Sequence, residues 1–168
     1  DYNTRLYGQL LSQNIIVKYT KSLIENGSPE DNLLMAKSLY QIALKSFNNY
    51  RYDLAARLFT HLLKHYPFIE QKRQIRYELG MSYYFNMQYR LAEKEFQTVL
   101  ATNSGDKLLA SYLIDIYINN SDGAKLDGIA NRYDSLPESE IAITDLEFRD
   151  NQFFKIGRFY YQQNQLEL

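Results

Sequence analysis

Residues 77–91 read YELGMSYYFNMQYRL, and residues 154–168 read FKIGRFYYQQNQLEL. Superposed, Gly80 falls on Gly157, Tyr83-Tyr84 on Tyr160-Tyr161 and Gln88 on Gln165. A third copy lies upstream with Ala43 in the glycine slot. Repetition at intervals of tens of residues marks a stacked array. One supersecondary unit cannot bury its apolar face alone, and its neighbours in the stack complete the core. An array of this kind holds other molecules more often than it performs chemistry, so a binding role is the first expectation.

The breakers and the apolar spacing say what the unit is. Seven Gly and three Pro among 168 residues leave long uninterrupted stretches, and 16 Tyr supply bulk for packing. Ser28-Pro29-Glu30-Asp31 reads as a helix start, with Ser28 as cap, Pro29 at the first helical position and Asp31 three residues after the cap. Leu39, Ile42, Ala43 and Phe47 then recur at helical spacing up to the Asn48-Asn49-Tyr50 turn. The next stripe is Leu54, Ala55, Leu58, Phe59, Leu62 and Leu63, stopped by Pro67. The same reasoning predicts helices over 73–85, 91–101, 107–118 and 125–133. A last helix runs from a capping box at Thr144-Asp145-Leu146-Glu147 to about residue 163. Nothing alternates with period two, so no sheet is predicted.

Composition narrows the function classes. These 168 residues hold no cysteine, which removes thiol catalysis, disulfides and cysteine zinc sites from consideration. The formal net charge of −1 gives no global attraction to nucleic acid or anionic membrane. Apolar runs are too short to span a bilayer, and residues 1–20 do not carry the basic start and apolar stretch of a secretion signal. The first residue is Asp rather than Met, so a processed or trimmed N-terminus is expected.

Leu79-Gly80-x-x-Tyr83 and Ala92-x-x-x-Phe96 resemble the tetratricopeptide repeat family, in which two antiparallel helices carry these motifs. Gly80 and Ala92 lie 12 residues apart, as do Ala43 and Ala55, and Phe59 and Pro67 complete the earlier copy. Leu113-Ile114-x-x-Tyr117 begins a degenerate copy, and Ile156-Gly157-x-x-Tyr160 begins a half copy. The resemblance implies an all-α, antiparallel helix-hairpin solenoid filling one domain, 1–168, with about three recognisable repeats and a terminal half repeat. Its parts are an N-terminal helix or worn repeat over 1–27, repeats over 33–67 and 73–104, a degenerate repeat over 107–137 and the half repeat over 144–168. Gly80, Gly157, Ala55, Ala92, Phe59 and Phe96 are then packing positions, small residues letting helices approach while aromatics fill the space beside them.

In this family the first helix of each pair lines a concave groove. Carried over, the groove positions are Tyr40, Leu44, Phe47 and Asn48, then Tyr77, Met81, Tyr84 and Phe85. The degenerate copy offers Ser111, Asp115, Ile118 and Asn119. The last offers Phe154, Arg158, Tyr161 and Gln162. Members that grip acidic chaperone tails use Lys, Arg and Asn there. The aromatics here imply an extended apolar segment or a partner helix instead. The pattern calls for a second helix after the terminal half repeat, so the expectation is that the native chain continues there or that a partner or a second copy covers this face. Tyr-rich first helices and the closing Tyr66-Pro67 look like bacterial envelope-associated members, implying a periplasmic or cell-envelope location, with the cytoplasm as the alternative.

The expectation is therefore a non-catalytic protein–protein adaptor with no cofactor, no metal and no nucleic-acid partner. The alternative is a helical enzyme or metal protein using His61 and His65, which share a helix face four residues apart. Glu70 or Asp53 would supply a third ligand, but a solvated outer face is the plainer reading of the pair. Lys72, Arg73 and Arg76 interleave with Glu70, Glu78, Glu93 and Glu95 as a mixed-charge surface, and Glu138, Glu140, Asp145 and Glu147 precede or open a helix.

Overall fold

The computed structural model describes residues 28–102, 107–134 and 143–166. Among them are seven helices and no strand: α1 Pro29–Asn48, α2 Tyr52–His65, α3 Lys72–Phe85, α4 Tyr89–Thr102, α5 Lys107–Asn119, α6 Gly123–Asp134 and α7 Ile143–Leu166. The all-α hairpin architecture is as the repeat pattern implies. The worn repeat or capping helix expected over 1–27 lies outside the described residues.

Local chemistry sets the helix ends. The Ser28 hydroxyl accepts the Asp31 N–H at 3.2 Å, and the Asp31 carboxylate accepts the Ser28 N–H at 3.3 Å. This reciprocal box, with Pro29 following, starts α1 where predicted. Tyr66 precedes a proline and leaves the helical region at φ −123°, ψ 64°, so α2 ends at His65. The final helix starts at Ile143, one residue before the Thr144 expected to cap it, and runs on to Leu166.

Each hairpin turns in the same way. Tyr50, Met87 and Ser121 have φ of 59°, 58° and 55°. In each case the left-handed residue donates its N–H three residues back, to Phe47, Tyr84 and Ile118, at 2.9–3.1 Å. The next residue donates five back, to Ser46, Tyr83 and Tyr117. This is the Schellman closure, which satisfies carbonyls that a helix end would otherwise orphan. Intervals of 37 and 34 residues separate these three residues. The degenerate copy has thus kept its turn although its second helix lost the Ala and Phe.

The chain divides into two compact units, Asp1–Thr102 and Asn103–Leu168. In the first, α1, α2, α3 and α4 pack in sequence, each against the next. Leu39, Ala43, Leu54, Ala55, Leu58, Phe59, Leu62, Ile75 and Leu79 are buried together. Between α3 and α4, Gly80 faces the buried ring of Phe96, and Arg76 pairs with Glu95 at 2.7 Å beside them. In the second unit α5 packs on α6, and α7 packs on both. Leu109, Leu113, Ile114, Ile116, Leu126, Ile156 and Phe159 are buried there. The Tyr160 hydroxyl lies 3.0 Å from the Gly123 carbonyl and 2.7 Å from Asp127 Oδ1, tying α7 to α6.

Gly157 departs from the expectation. It is exposed, and a Cβ built on it would meet nothing within 4 Å. It is not a close-approach position, because no second helix lies against that face of α7 among the described residues.

Candidate functional site

The anticipated groove residues of the first unit range from buried to open. Tyr40, Leu44 and Phe47 are half-buried and packed against the core, and Tyr77 and Tyr84 are also half-buried. Phe85 is 42 % exposed. Met81, expected on the same surface, is only 7 % exposed and would support a partner only from beneath. Asn48 is exposed at the end of α1.

Rings from successive repeats touch. Phe47 and Phe85 have centroids 6.0 Å apart, and Phe85 meets Tyr84 at 5.5 Å. Tyr52 lies 5.3 Å from Phe47 and stacks on Phe85 at 5.1 Å. Tyr50 meets Tyr52 edge-on at 6.2 Å, and Tyr84 meets Tyr89 at 5.8 Å. Offset and edge-on pairs at these distances are favourable beyond area burial alone. Tyr50, Tyr52 and Tyr89 were not among the anticipated site residues. The signal was in the register, since Tyr52 and Tyr89 occupy equivalent places 37 residues apart. Nearer the middle of the helices, burial and then the Glu78 carboxylate push the Tyr40 phenol up. Burial likewise raises Glu78, against a bond from the Gln74 amide that lowers it.

In the second unit the anticipated positions split. Ser111 bonds Gln152 at 3.4 Å and Asp115 pairs with Lys155 at 3.0 Å, so both are engaged in holding α7. On α7, Phe154 is 71 % and Tyr161 66 % exposed, with Arg158 and Gln162 exposed beside them. Their spacing of three, four and seven places them with Gly157 on one face of the helix.

His61 is buried, which corrects the expectation of a solvated outer face. It continues the inner stripe of Leu54 and Leu58 at helical spacing, and α1 and α3 both pack on α2. Its ring lies 4.4 Å from that of His65 and its Nε2 has no hydrogen-bond partner, nor has the buried hydroxyl of Tyr66. Burial, then the neighbouring His65 and Lys64, hold His61 down to about 4, so it is neutral near pH 7. No cluster of three or more His, Cys, Asp or Glu that could hold a metal occurs among the described residues. A cleft of about 630 Å³ is lined by Pro29, Asn32, Leu33, Lys37, Phe68, Glu70 and Gln71.

No helix among the described residues is long and apolar enough to cross a membrane. No curated protein and no solved structure gives a significant match to the chain. One family model does match, over residues 34–119, from the first turns of α1 to the end of α5, and so over half of the sequence. The chain belongs to the family described as YfiO, outer membrane lipoprotein.

Proposed function

We propose that this chain is a non-catalytic adaptor of the bacterial cell envelope that binds a partner protein, as a peptide or helix, along the first helices of its repeats. The observation that carries this reading is the contact of Phe47 with Phe85 at 6.0 Å, continued by Tyr84. Equivalent helices of successive repeats thereby present one run of rings rather than isolated side chains. Tyr40, Leu44 and Tyr77 extend it along α1 and α3, and Met81 lies beneath. Rigid aromatics with few rotatable bonds lose little entropy when a partner orders them, which makes them good anchors. Membership of an outer membrane lipoprotein family supports the envelope location.

The face of α7 that carries Phe154, Arg158 and Tyr161 is a second contact surface in this reading. Its open Gly157 corresponds to Gly80, which in the other copy receives an aromatic side chain from the following helix. A helix with a small residue and an aromatic four positions later, like those of α2 and α4, fits that notch.

The test is an affinity pull-down from envelope extract with the wild type beside a Tyr77→Ala, Tyr84→Ala double variant, and beside Phe154→Ala, Tyr161→Ala. Loss of partners at an unchanged melting temperature supports the reading. Retention of every partner with a collapsed melting temperature would assign the tyrosines to the core.

A further inference from the structure

Glu78 is half-buried on α3 and accepts a hydrogen bond from the neutral Gln74 amide at 2.7 Å. Among the described residues no Lys or Arg pairs with it. Other carboxylates of the unit have such a partner: Asp53 has Arg57 and Glu95 has Arg76, each at 2.7 Å. Arg76 stands two residues before Glu78 and is turned to α4 instead. Withdrawing a carboxylate from water is costly unless a cation or several hydrogen bonds compensate it. Burial accordingly raises the Glu78 carboxyl above its ordinary value.

The position of Glu78 says what this uncompensated charge is for. It precedes Met81 by three residues and Phe85 by seven, which puts it on their face of α3. On α1, Tyr40 precedes Phe47 by the same seven. Phe47 meets Phe85 at 6.0 Å, and the Glu78 carboxylate acts on the Tyr40 phenol. Two turns along from the ring contact, the same two helices therefore bring a carboxylate near a phenol. The Tyr40 ring also lies 6.2 Å from Phe59 of α2, which fixes it in place.

We propose that Glu78 is an anionic subsite that takes the guanidinium or ammonium group of an Arg or Lys in the partner segment, while apolar residues of that segment rest on Phe47, Tyr84 and Phe85. This subsite rests on the groove reading above and adds a sequence requirement to it. The incoming cation supplies the charge that Glu78 lacks, and its N–H groups reach carboxylate lone pairs that Gln74 leaves free. Arg offers a planar fork of donors and Lys a point charge, so Arg is the preferred occupant.

The test selects a phage-displayed library of random dodecapeptides on the full chain, wild type and Glu78→Gln in parallel. Glu78→Gln keeps the shape of the side chain and an oxygen for the Gln74 amide, and its melting temperature is read alongside. Peptides taken by wild type are expected to carry an Arg or Lys beside apolar residues. Those taken by Glu78→Gln should keep the apolar residues and lose the basic one. Replacing the Arg of a selected peptide by citrulline, or its Lys by acetyl-lysine, should weaken binding to wild type roughly tenfold and leave binding to Glu78→Gln unchanged. That exchange leaves wild-type protein untouched, so a folding defect of the variant cannot imitate it. Wild-type peptides without a basic position, or an equal penalty on both proteins, overturn the subsite. The groove itself stands in that case if Tyr77→Ala, Tyr84→Ala abolishes binding. Selection of no peptide, or of peptides indifferent to that double variant, overturns the groove reading and the subsite together.

Discussion

A Cβ built on Gly80 would stand 2.5 Å from Cε1 of Phe96, whose ring is fully buried. No side chain tolerates that approach without displacing the ring. Gly80→Ala is therefore expected to lower stability by about 1–3 kcal/mol through overpacking, despite alanine's better helix propensity. The repeat-equivalent Gly157→Ala should do the opposite. Nothing lies near its Cβ, so replacing glycine in a helix interior stabilises by about 0.5–1 kcal/mol. Denaturant melts of the two variants read opposite signs, and equal signs would contradict the packing described for α3 and α4.

The turns give a second pair of opposite signs. Met87 sits at φ 58° and is largely exposed, so its side chain gains little from the fold while its backbone is strained. Left-handed geometry costs an ordinary residue about 1–2 kcal/mol, part of which glycine returns through greater freedom in the unfolded chain. Met87→Gly is expected to stabilise by about 0.5–1 kcal/mol. Met87→Ile, β-branched at the same φ, should destabilise by about 1 kcal/mol or more. Thermal melts of both variants check the pair.

These two cases show what a sequence of this kind carries. The packing of Gly80 against Phe96 was legible because the resemblance to the tetratricopeptide repeat implies which slots meet where the paired helices cross. The Ser28 box was legible because its chemistry is local. Gly157 was not, because a close approach depends on what lies opposite, and the same motif serves with or without a helix there. The Asn48-Asn49-Tyr50 turn was legible, but the left-handed backbone at Tyr50 and Met87 was hidden for another reason. Their usual signature is Gly or Asn at that position, and here only the recurrence at 37 residues betrays them. Met81 and His61 were misplaced outward because periodicity gives a helix face but not how far a second neighbour covers it.

Tyr160 makes the second unit testable through a titration as well as a melt. Burial first, and then the hydrogen bond and charge of Asp127, push its phenol up to about 12. A raised phenol pKa means the fold favours the neutral form. The contribution is complete below pH 10 and is lost as pH rises toward 12. Tyr160→Phe should remove the tie from α7 to Asp127 and to the Gly123 carbonyl, at a cost of about 1 kcal/mol. Spectrophotometric titration should lose one late-ionising tyrosine in the variant. An unchanged high-pH limb would mean that another phenol carries it.

His61 makes the first unit sensitive to acid. Its folded pKa of about 4 lies below the ordinary 6.5, so the unfolded chain binds more protons between those values. Stability attributable to this ring is complete above pH 6.5 and falls as pH drops through the window toward 4. A shift of this size corresponds to at most about 3.5 kcal/mol. His61→Leu should flatten the profile between pH 6.5 and 4. It should also stabilise the unit near pH 7 by about 1 kcal/mol or more, because it removes the buried Nε2 that has no partner. Urea melts of both proteins at pH 4.5 and 7.5 measure each effect directly. The same melts with added zinc discriminate the metal-binding alternative: zinc that stabilises wild type but not His61→Leu would assign the His61–His65 pair to a metal, and zinc without effect leaves His61 as a core side chain whose neutrality the fold enforces.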